Sequence, residues 1–255
     1  MANLPAPITR LDRFILCNQS SKKRNMQQAS INFINLLAAR AHPQTTHVNP
    51  FNTDHWFDGA FRTIQRRIPK GTFSDAQKQD CANLLFTRLP QLQPATFDGD
   101  IQKLICELAV KFPLSIGQSQ KLVNILLKYY ACLYFSQLAP AWNQANSWIP
   151  LIHNQQHVPI DSIVLFGLCR LAPVSCNGFL TVSARYAHSK NTDSFVWNTT
   201  ATIFVPDSLN GKGVSVPWSG LTQYDVYLRL QTIIRGLADT KQISPILYEM
   251  RHLWI

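Results

Sequence analysis

The stretch that decides the fold is residues 113–138, PLSIGQSQKLVNILLKYYACLYFSQL, in which a short polar turn runs into a strongly apolar segment. The turn carries one glycine, Gly117, and the apolar segment opens on Lys121. After this lysine, Leu, Ile and Val recur at helical spacing, which predicts a helix that starts at Lys121 and ends at Leu138. The sequence therefore predicts a glycine-bearing turn followed by a long apolar helix.

Helices are also predicted on both sides of this segment, from apolar residues that repeat at helical spacing. Phe97 to Phe112 forms one of them and has Asp98 or Asp100 near its N-terminus, where the helix dipole favours a negative charge. Another follows a predicted Trp- and Asn-rich loop and opens at Asp161, two residues beyond Pro159. Ser74 can cap a helix that runs toward Leu89. The remaining predicted helices are Met26 to Arg40, Asp54 to Arg67, Thr222 to Leu237 and Ser244 to Leu253.

The sequence pattern changes after Pro173. Residues 179–206 are rich in Val, Thr, Phe and Tyr and partly alternate between apolar and polar, as strands do. We predict a β-hairpin insertion here, with its turn near Ser189 to Asp193 and a glycine-rich loop, Asn210 to Gly213, behind it. The expected fold class is mainly α, in one domain of two closely packed helical lobes over residues 1–255.

The composition points to a polyanionic partner. The chain of 255 residues has 24 Lys and Arg against 14 Asp and Glu, a formal charge of +10, although only 15% of its residues are charged. Neutralisation of phosphates by Lys and Arg drives most nonspecific nucleic-acid binding. Nucleic acid is therefore favoured over a membrane surface, and no obligate protein partner is evident.

Other classes of site are not indicated. The six cysteines include no Cys-x-x-Cys pair, and most lie in apolar helical stretches, where a thiol behaves as a small hydrophobe. His153 and His157 have the spacing of two metal ligands but no nearby acid or cysteine, so we expect no metal and no cofactor. Without a signal peptide or an apolar run near the length of a membrane span, we expect a reduced, cytoplasmic, soluble protein.

Asp161 is the single acidic residue between Leu108 and Thr192. It follows Pro159 at the predicted start of a helix, where an aspartate often caps the helix by accepting a backbone N–H bond. The other interpretation is an ionised carboxylate that faces a developing cation or activates a water. The two are compatible, because a capping geometry also orients the side chain.

Lys121 and Lys128 lie seven residues apart, hence on one face of the predicted helix. Either lysine could be solvated. The alternative for Lys121 is a nucleophilic amine that attacks a carbon of the substrate. Two cations on one face of an apolar helix indicate a polar cleft, since burying them unpaired would be costly. The two lysines could also exchange roles.

Ile116 to Lys121, Lys128 two turns later and the later run Val158 to Asp161 together resemble the helix-hairpin-helix DNA glycosylases. They are most similar to the branch that contains the archaeal 8-oxoguanine glycosylases, over roughly residues 100–170, with the helix-hairpin-helix at about 100–138. The resemblance implies that Lys121 is the Schiff-base lysine and Asp161 the catalytic aspartate.

The implied activity is removal of a modified base from double-stranded DNA, by flipping the nucleotide into a cleft and cleaving its N-glycosidic bond. Capture of the sugar carbon by Lys121 would add lyase activity. Trp218 is the main candidate for stacking on the flipped base, the alternative being a packed core residue. The resemblance also assigns DNA binding to Ser115, Gly117, Gln118 and Ser119, and substrate binding to Lys128, Trp142 and Trp56.

The chain departs from this family pattern in three places. The hairpin lacks a second glycine, the lysine-to-aspartate interval is 40 residues, and residues 179–206 have no obvious counterpart. Because inserted loops alter substrate scope, a base other than 8-oxoguanine is expected. The resemblance extends to bacterial phage-defence glycosylases that remove bulky hypermodified cytosines, so it implies glucosylated cytosine in phage DNA as a candidate base and antiviral defence as a role, with DNA repair as the alternative role. The alternatives are a non-catalytic DNA-binding protein that uses the same hairpin and basic face, and an RNA-processing enzyme.

Overall fold

A computed structural model describes residues 53–137, 140–177, 179–189, 194–206 and 213–253. The predicted helix from Met26 to Arg40 lies outside these ranges. The described helices are α1 (Thr53–Gln65), α2 (Asp75–Arg88), α3 (Phe97–Lys111), α4 (Ile116–Ser136), α5 (Pro140–Ala145), α6 (Ile149–Ile152), α7 (Ser162–Leu171), α8 (Pro173–Cys176), α9 (Tyr224–Asp239) and α10 (Pro245–Tyr248).

The central helix α4 begins five residues before its predicted start at Lys121. Ser115 is its N-cap, and a capping box joins the Ser115 side chain to the Gln118 backbone and the Gln118 side chain to the Ser115 backbone. This reciprocal pair satisfies amides that a helix end otherwise leaves unpaired. The polar run after Gly117, which resembled a turn, is therefore the first helical turn. The prediction was wrong about the start, because glycine was given more weight than the cap.

Helix α4 is buried on nearly all sides, since 19 of its residues are buried, including Lys121 and Lys128. Helices α1 and α3 pack against it. The buried apolar residues of the described segments form one cluster that extends from Phe57 to Leu253. The division into two lobes stays a prediction.

The predicted β-hairpin is confirmed. Strands β1 (Leu180–Ser189) and β2 (Ser194–Pro206) pair antiparallel with Leu180 opposite Ile203, while the residues between them lie outside the described ranges. A third strand, β3 (Gly213–Pro217), pairs with β2 and was not predicted, because its glycine-rich start resembled a loop. Strands β1 and β2 lie against α7. β3 leads directly into a 3₁₀ turn at Trp218–Gly220.

The other helix predictions are confirmed within a few residues, and α2 has the predicted cap at Ser74. The segment predicted as a Trp- and Asn-rich loop instead contains α5, α6 and a 3₁₀ turn at His153–Gln155. The last helix continues from α10 into a π-helical turn, Glu249–Leu253. Among the described residues, no helix is long and apolar enough to cross a membrane.

Candidate active site

Lys121 and Asp161 meet in the folded protein. The Lys121 Nζ atom lies 3.1 Å from Oδ2 of Asp161, although the residues are 40 positions apart. Their side chains keep 10% and 15% of their exposure, so the pair is mostly shielded yet reaches the surface. The charges are therefore held in one geometry, in surroundings where water screens them less than on an open surface.

Asp161 is the N-cap of α7, as one of the two interpretations predicted. Its Oδ1 atom accepts hydrogen bonds from the backbone N–H groups of Ile163 at 2.9 Å and Val164 at 3.1 Å. Oδ2 is left for Lys121. The two carboxylate oxygens thus have separate partners, and the helix N-terminus favours their negative charge. The cap holds the carboxylate without using the oxygen that faces the lysine.

Trp218 completes the cluster. The Lys121 Nζ atom lies 4.4 Å from the centre of the Trp218 ring, within the range of a cation–π contact. The tryptophan is 5% exposed, so it packs as a core residue. Trp218 was predicted to stack on a flipped base, and in this structure the ring contact is instead with the lysine.

Gly117 brings the Trp218 turn against α4. Its N–H group donates to the carbonyl of Leu221 at 2.9 Å. A Cβ atom on Gly117 would lie 1.7 Å from the Trp218 carbonyl oxygen, far inside van der Waals contact. The glycine is therefore explained by close backbone approach, which only a residue without a side chain allows.

The amides of the predicted DNA-binding hairpin have partners within the protein. Besides the Gly117 amide, the N–H of Gln118 donates to Ser115 Oγ at 3.1 Å, and the N–H of Ser119 donates to the Ser115 carbonyl at 2.9 Å. The Ser115 hydroxyl donates to the Ser219 carbonyl at 2.6 Å. The expected phosphate contacts therefore have no support at these atoms, which form hydrogen bonds within the protein.

Lys128 does not share the site with Lys121, contrary to the prediction that it binds substrate. Its Nζ atom lies 2.9 and 2.7 Å from the two carboxylate oxygens of Glu249, and the side chains are 5% and 0% exposed. Seven helical residues also separate the two lysines by about 10 Å along α4. Glu249 lies 121 residues from Lys128 in sequence, so spacing alone did not identify this partner.

Trp56 and Trp142, which were predicted to bind substrate, lie in an aromatic cluster that is separate from Lys121, and their role in substrate binding stays a prediction. Their ring centres are 6.0 Å apart, and the Tyr130 ring lies 5.7 Å from Trp56 and 5.6 Å from Trp142. Tyr130 is nine residues beyond Lys121, about 13 Å along the helix. The described ring contacts of both tryptophans are thus packing contacts of the distal part of α4.

Two buried glutamines hold the segment that leads into Asp161, and sequence reasoning missed both. The Gln120 side chain donates to the Ile160 carbonyl at 2.9 Å and accepts from the Ile160 N–H at 3.1 Å. Gln231 makes the same pair of bonds with Val158, at 2.7 and 2.8 Å. Each glutamine side-chain amide thus pairs with the N–H and C=O groups of one residue, as a neighbouring β-strand would. The approach to Asp161 is therefore fixed from α4 and from α9.

A network of hydrogen bonds between buried polar side chains continues from Gln120. Asn124 donates to Gln120 Oε1 at 3.3 Å and to the Tyr227 hydroxyl at 2.8 Å, and this hydroxyl lies 2.6 Å from His157 Nδ1. His157 Nε2 lies 2.8 Å from Asp98 Oδ1. His157 was considered only as a metal ligand with His153, and among the described residues no three ligands cluster around a metal site.

The hydrogen-bond network ends at an ion pair between Asp98 and Arg235. Arg235 donates to both carboxylate oxygens of Asp98, at 2.7 and 2.5 Å. Together with the His157 bond, this arginine holds the pKa of Asp98 well below its usual value. Burial lowers the pKa of His157, although the Asp98 hydrogen bond opposes the change. Burial therefore favours the neutral form of His157, which lies between a hydroxyl and a carboxylate.

The arrangement provides a carboxylate with a fixed orientation, an amine in contact with it and an aromatic wall behind the amine. Such a set can stabilise a developing cation and can supply or accept a proton at the lysine. Comparisons of this chain with models of protein families, with curated proteins and with solved structures find no match.

Proposed function

We propose that this protein is a DNA N-glycosylase in which Asp161 and Lys121 carry the chemistry. The observation that carries the proposal is the 3.1 Å contact between Lys121 Nζ and Asp161 Oδ2 across 40 residues of sequence. These two residue types are those that the glycosylase resemblance assigns to catalysis. The formal charge of +10 supports a polyanionic substrate.

In this mechanism Asp161 stabilises the positive charge that develops on the deoxyribose as the base leaves. Cleavage of the bond between C1′ and the base nitrogen leaves its electron pair on the base, so the sugar ring becomes cationic. A carboxylate already held by two backbone amides needs little reorganisation to face that charge. The departing base takes a proton, and the Lys121 ammonium is the side-chain donor that contacts the carboxylate.

The second step depends on the nucleophile that reaches C1′. Water attack gives an abasic sugar and a simple hydrolase. Attack by Lys121 forms a bond between Nζ and C1′, after the ammonium has given one proton to the base. A second proton then moves from nitrogen to the ring oxygen, the C1′–O4′ bond breaks, and an iminium links enzyme and DNA. Loss of a C2′ proton from this iminium expels the 3′ phosphate, which is the lyase reaction.

The proposed substrate is a modified base, with hypermodified cytosine of phage DNA as the main candidate and antiviral defence as the role. Support comes from the sheet, because β3 ends at Pro217 and the next residue is Trp218, whose ring contacts Lys121. The inserted strands thus adjoin the candidate site directly. Insertions beside a reacting centre are where substrate scope changes.

The test combines base release with a matched pair of variants. Purified protein is incubated with duplexes that carry different modified bases and with genomic DNA from differently modified phages, and abasic sites and free bases are measured. Asp161→Asn should abolish release and leave DNA binding intact. Asp225→Asn, an exposed acid in the first turn of α9, should retain full activity. Retained activity in Asp161→Asn would remove Asp161 from the mechanism.

Borohydride trapping separates the two routes. A covalent protein–DNA adduct that disappears in Lys121→Gln identifies the lysine as the nucleophile, whereas an active enzyme that forms no adduct is a hydrolase. DNA binding without release from any modified DNA would favour the non-catalytic DNA-binding alternative. Cleavage of RNA but not DNA would favour the RNA-processing alternative.

A further inference from the structure

A group of basic side chains lies at the end of α7 opposite Asp161. Arg170 is in the last turn of α7, and its Nη2 atom is 3.4 Å from the carbonyl oxygen of His252 in the π-helical turn. Arg251 precedes this histidine. The positive charges of Arg251 and Lys241 both help to lower the pKa of His252, after burial as the main cause, so these groups lie close together.

Arg251 is the unusual member of this group. Its Nε and Nη2 atoms are both buried, and among the described residues neither has a hydrogen-bond partner. Burial also lowers the pKa of Arg251. A guanidinium has five N–H donors in a rigid fork, and leaving buried donors unsatisfied costs free energy. An anion that reaches these donors, once the side chain turns toward solvent, would give them the partners that the described protein atoms do not.

Acidic neighbours do not account for the arrangement. The ion pairs found within the described residues occupy other cations, and none involves Arg170, Lys241 or Arg251. Favourable interaction with the C-terminal end of the helix dipole would explain Arg170 alone. It does not explain why Arg251 in a different element is turned inward beside two further cations.

We infer that Arg170, Lys241, Arg251 and His252 form a binding site for a phosphate group, and that the phosphate belongs to the backbone of the bound DNA. Planar guanidinium groups match the oxygens of phosphate in a two-bonded geometry. The assignment to DNA rests on the proposed function.

The position of this basic site fits a duplex whose target nucleotide is at Asp161. Arg170 lies nine residues beyond Asp161, about 13 Å along α7. One DNA strand carries a phosphate about every 3.4 Å of helix axis, so a duplex at the candidate active site has phosphates within this distance. The buried hairpin amides around Gly117 leave backbone recognition to side chains of this kind.

The test measures binding rather than catalysis. Every protein carries Asp161→Asn, so that the DNA is not processed, and affinity for a short unmodified duplex is measured by fluorescence anisotropy between about 50 and 200 mM salt. Arg251→Gln should weaken binding on the order of tenfold and reduce the slope of log affinity against log salt by about 1. Arg170→Gln and Lys241→Gln, at exposed positions that do not endanger folding, should act in the same direction.

Two controls separate a site from general charge and from misfolding. Lys103→Gln removes the same charge from a side chain that is 83% exposed on α3, and it should leave the affinity and the salt slope unchanged. The melting temperature of Arg251→Gln should not fall, because the guanidinium that it removes has buried donors without partners. Equal effects of Arg251→Gln and Lys103→Gln on DNA binding would overturn the inference.

The source of the phosphate is tested by titrating inorganic phosphate and following it by ³¹P NMR. Phosphate binding that disappears in Arg251→Gln, combined with unchanged DNA affinity, would assign the site to a free phosphate and overturn the DNA assignment. Absence of any change in either titration would overturn the site itself. A wild-type protein that binds duplex through these residues but releases no base would refute the glycosylase proposal and leave the phosphate site standing.

Discussion

Lys128 and Glu249 form a buried ion pair in which the ammonium contacts both carboxylate oxygens, at 2.9 and 2.7 Å. This pair joins α4 to the π-helical turn near the end of the chain. It also separates the two lysines of α4 into different environments. Lys121 faces a partly exposed aspartate, whereas Lys128 is 4% exposed and bound to an acid that is fully buried.

The Lys128–Glu249 pair should stabilise the fold only when both residues are present. Lys128→Met should lower the free energy of unfolding by about 3–5 kcal/mol, because it leaves a buried carboxylate without its cation. The double variant Lys128→Met, Glu249→Leu should recover most of this loss, because no charge is left unpaired. Urea denaturation of the two variants and the wild type measures both effects. A single variant as stable as the wild type would show that the pair contributes little.

Gly117 should tolerate no side chain. Gly117→Ala would place Cβ 1.7 Å from the Trp218 carbonyl oxygen and 2.8 Å from its carbonyl carbon, so one of the two backbones must move. We expect a loss of about 1–3 kcal/mol or more in the free energy of unfolding. Gly236→Ala is the matched control in α9, where nothing lies within 4 Å of the added atom, and it should stabilise by about 0.5–1 kcal/mol. Similar effects of both alanines would contradict the close approach.

Asp161 should have separable structural and chemical roles. Asp161→Asn keeps a side-chain oxygen that can accept the amides of Ile163 and Val164, so the cap of α7 should persist. Asp161→Ala removes the cap and should cost about 1 kcal/mol more than the asparagine variant. Chemical denaturation gives this difference, while both variants should lose base release. An alanine variant as stable as the asparagine variant would mean that the cap adds nothing measurable.

Stability should decrease as the pH falls from about 6.5 toward 4. Burial lowers the pKa of His153 from 6.5 to about 4, so the unfolded chain binds a proton more readily within this interval. The contribution of His153 to the free energy of unfolding is therefore complete above its unfolded pKa and is lost as the pH falls. The free energy of unfolding changes by up to about 1.4 kcal/mol per pH unit in this interval. The lowered pKa of His157 acts with the same sign.

Denaturation at several pH values tests this expectation. His153→Leu should flatten the decrease between about pH 6.5 and 4, because one proton is no longer taken up on unfolding. Asn154→Ala, an exposed and non-titrating neighbour, should keep the wild-type slope. An unchanged slope in the leucine variant would assign the pH dependence to other groups.

Much of the helical fold could be predicted from the sequence. Helices α1, α3 and α9, the cap at Ser74 and the antiparallel pairing of β1 with β2 follow from periodicity, capping and alternation. These signals are local, because each depends on residues within a few positions of one another. The start of α4 was missed although its signal, Ser115 followed three residues later by Gln118, is also local. A glycine within the first turn concealed it.

Asp161 and Lys121 could be identified as candidates from the sequence, because each has unusual neighbours in it. Asp161 is the lone acid in a long stretch, and Lys121 opens a strongly apolar segment. The partners of several other polar residues could not be predicted from the sequence. Tyr227 meets His157 across 70 residues, and Asp98 meets Arg235 across 137. No local pattern encodes such pairs, because they depend on how separate helices pack.

The sequence by itself determined most of the helices and the pairing of β1 with β2, the positive charge of the chain and the two residues on which the chemistry is proposed. Only the tertiary structure decided that Lys121 contacts Asp161 and that Lys128 pairs with Glu249. It also decided that the Gly117 N–H group donates to the protein's own backbone. The physical reason is the range of the interactions. Capping and periodicity act within a few residues, whereas the pairing of buried charges is settled only when distant elements exclude water together.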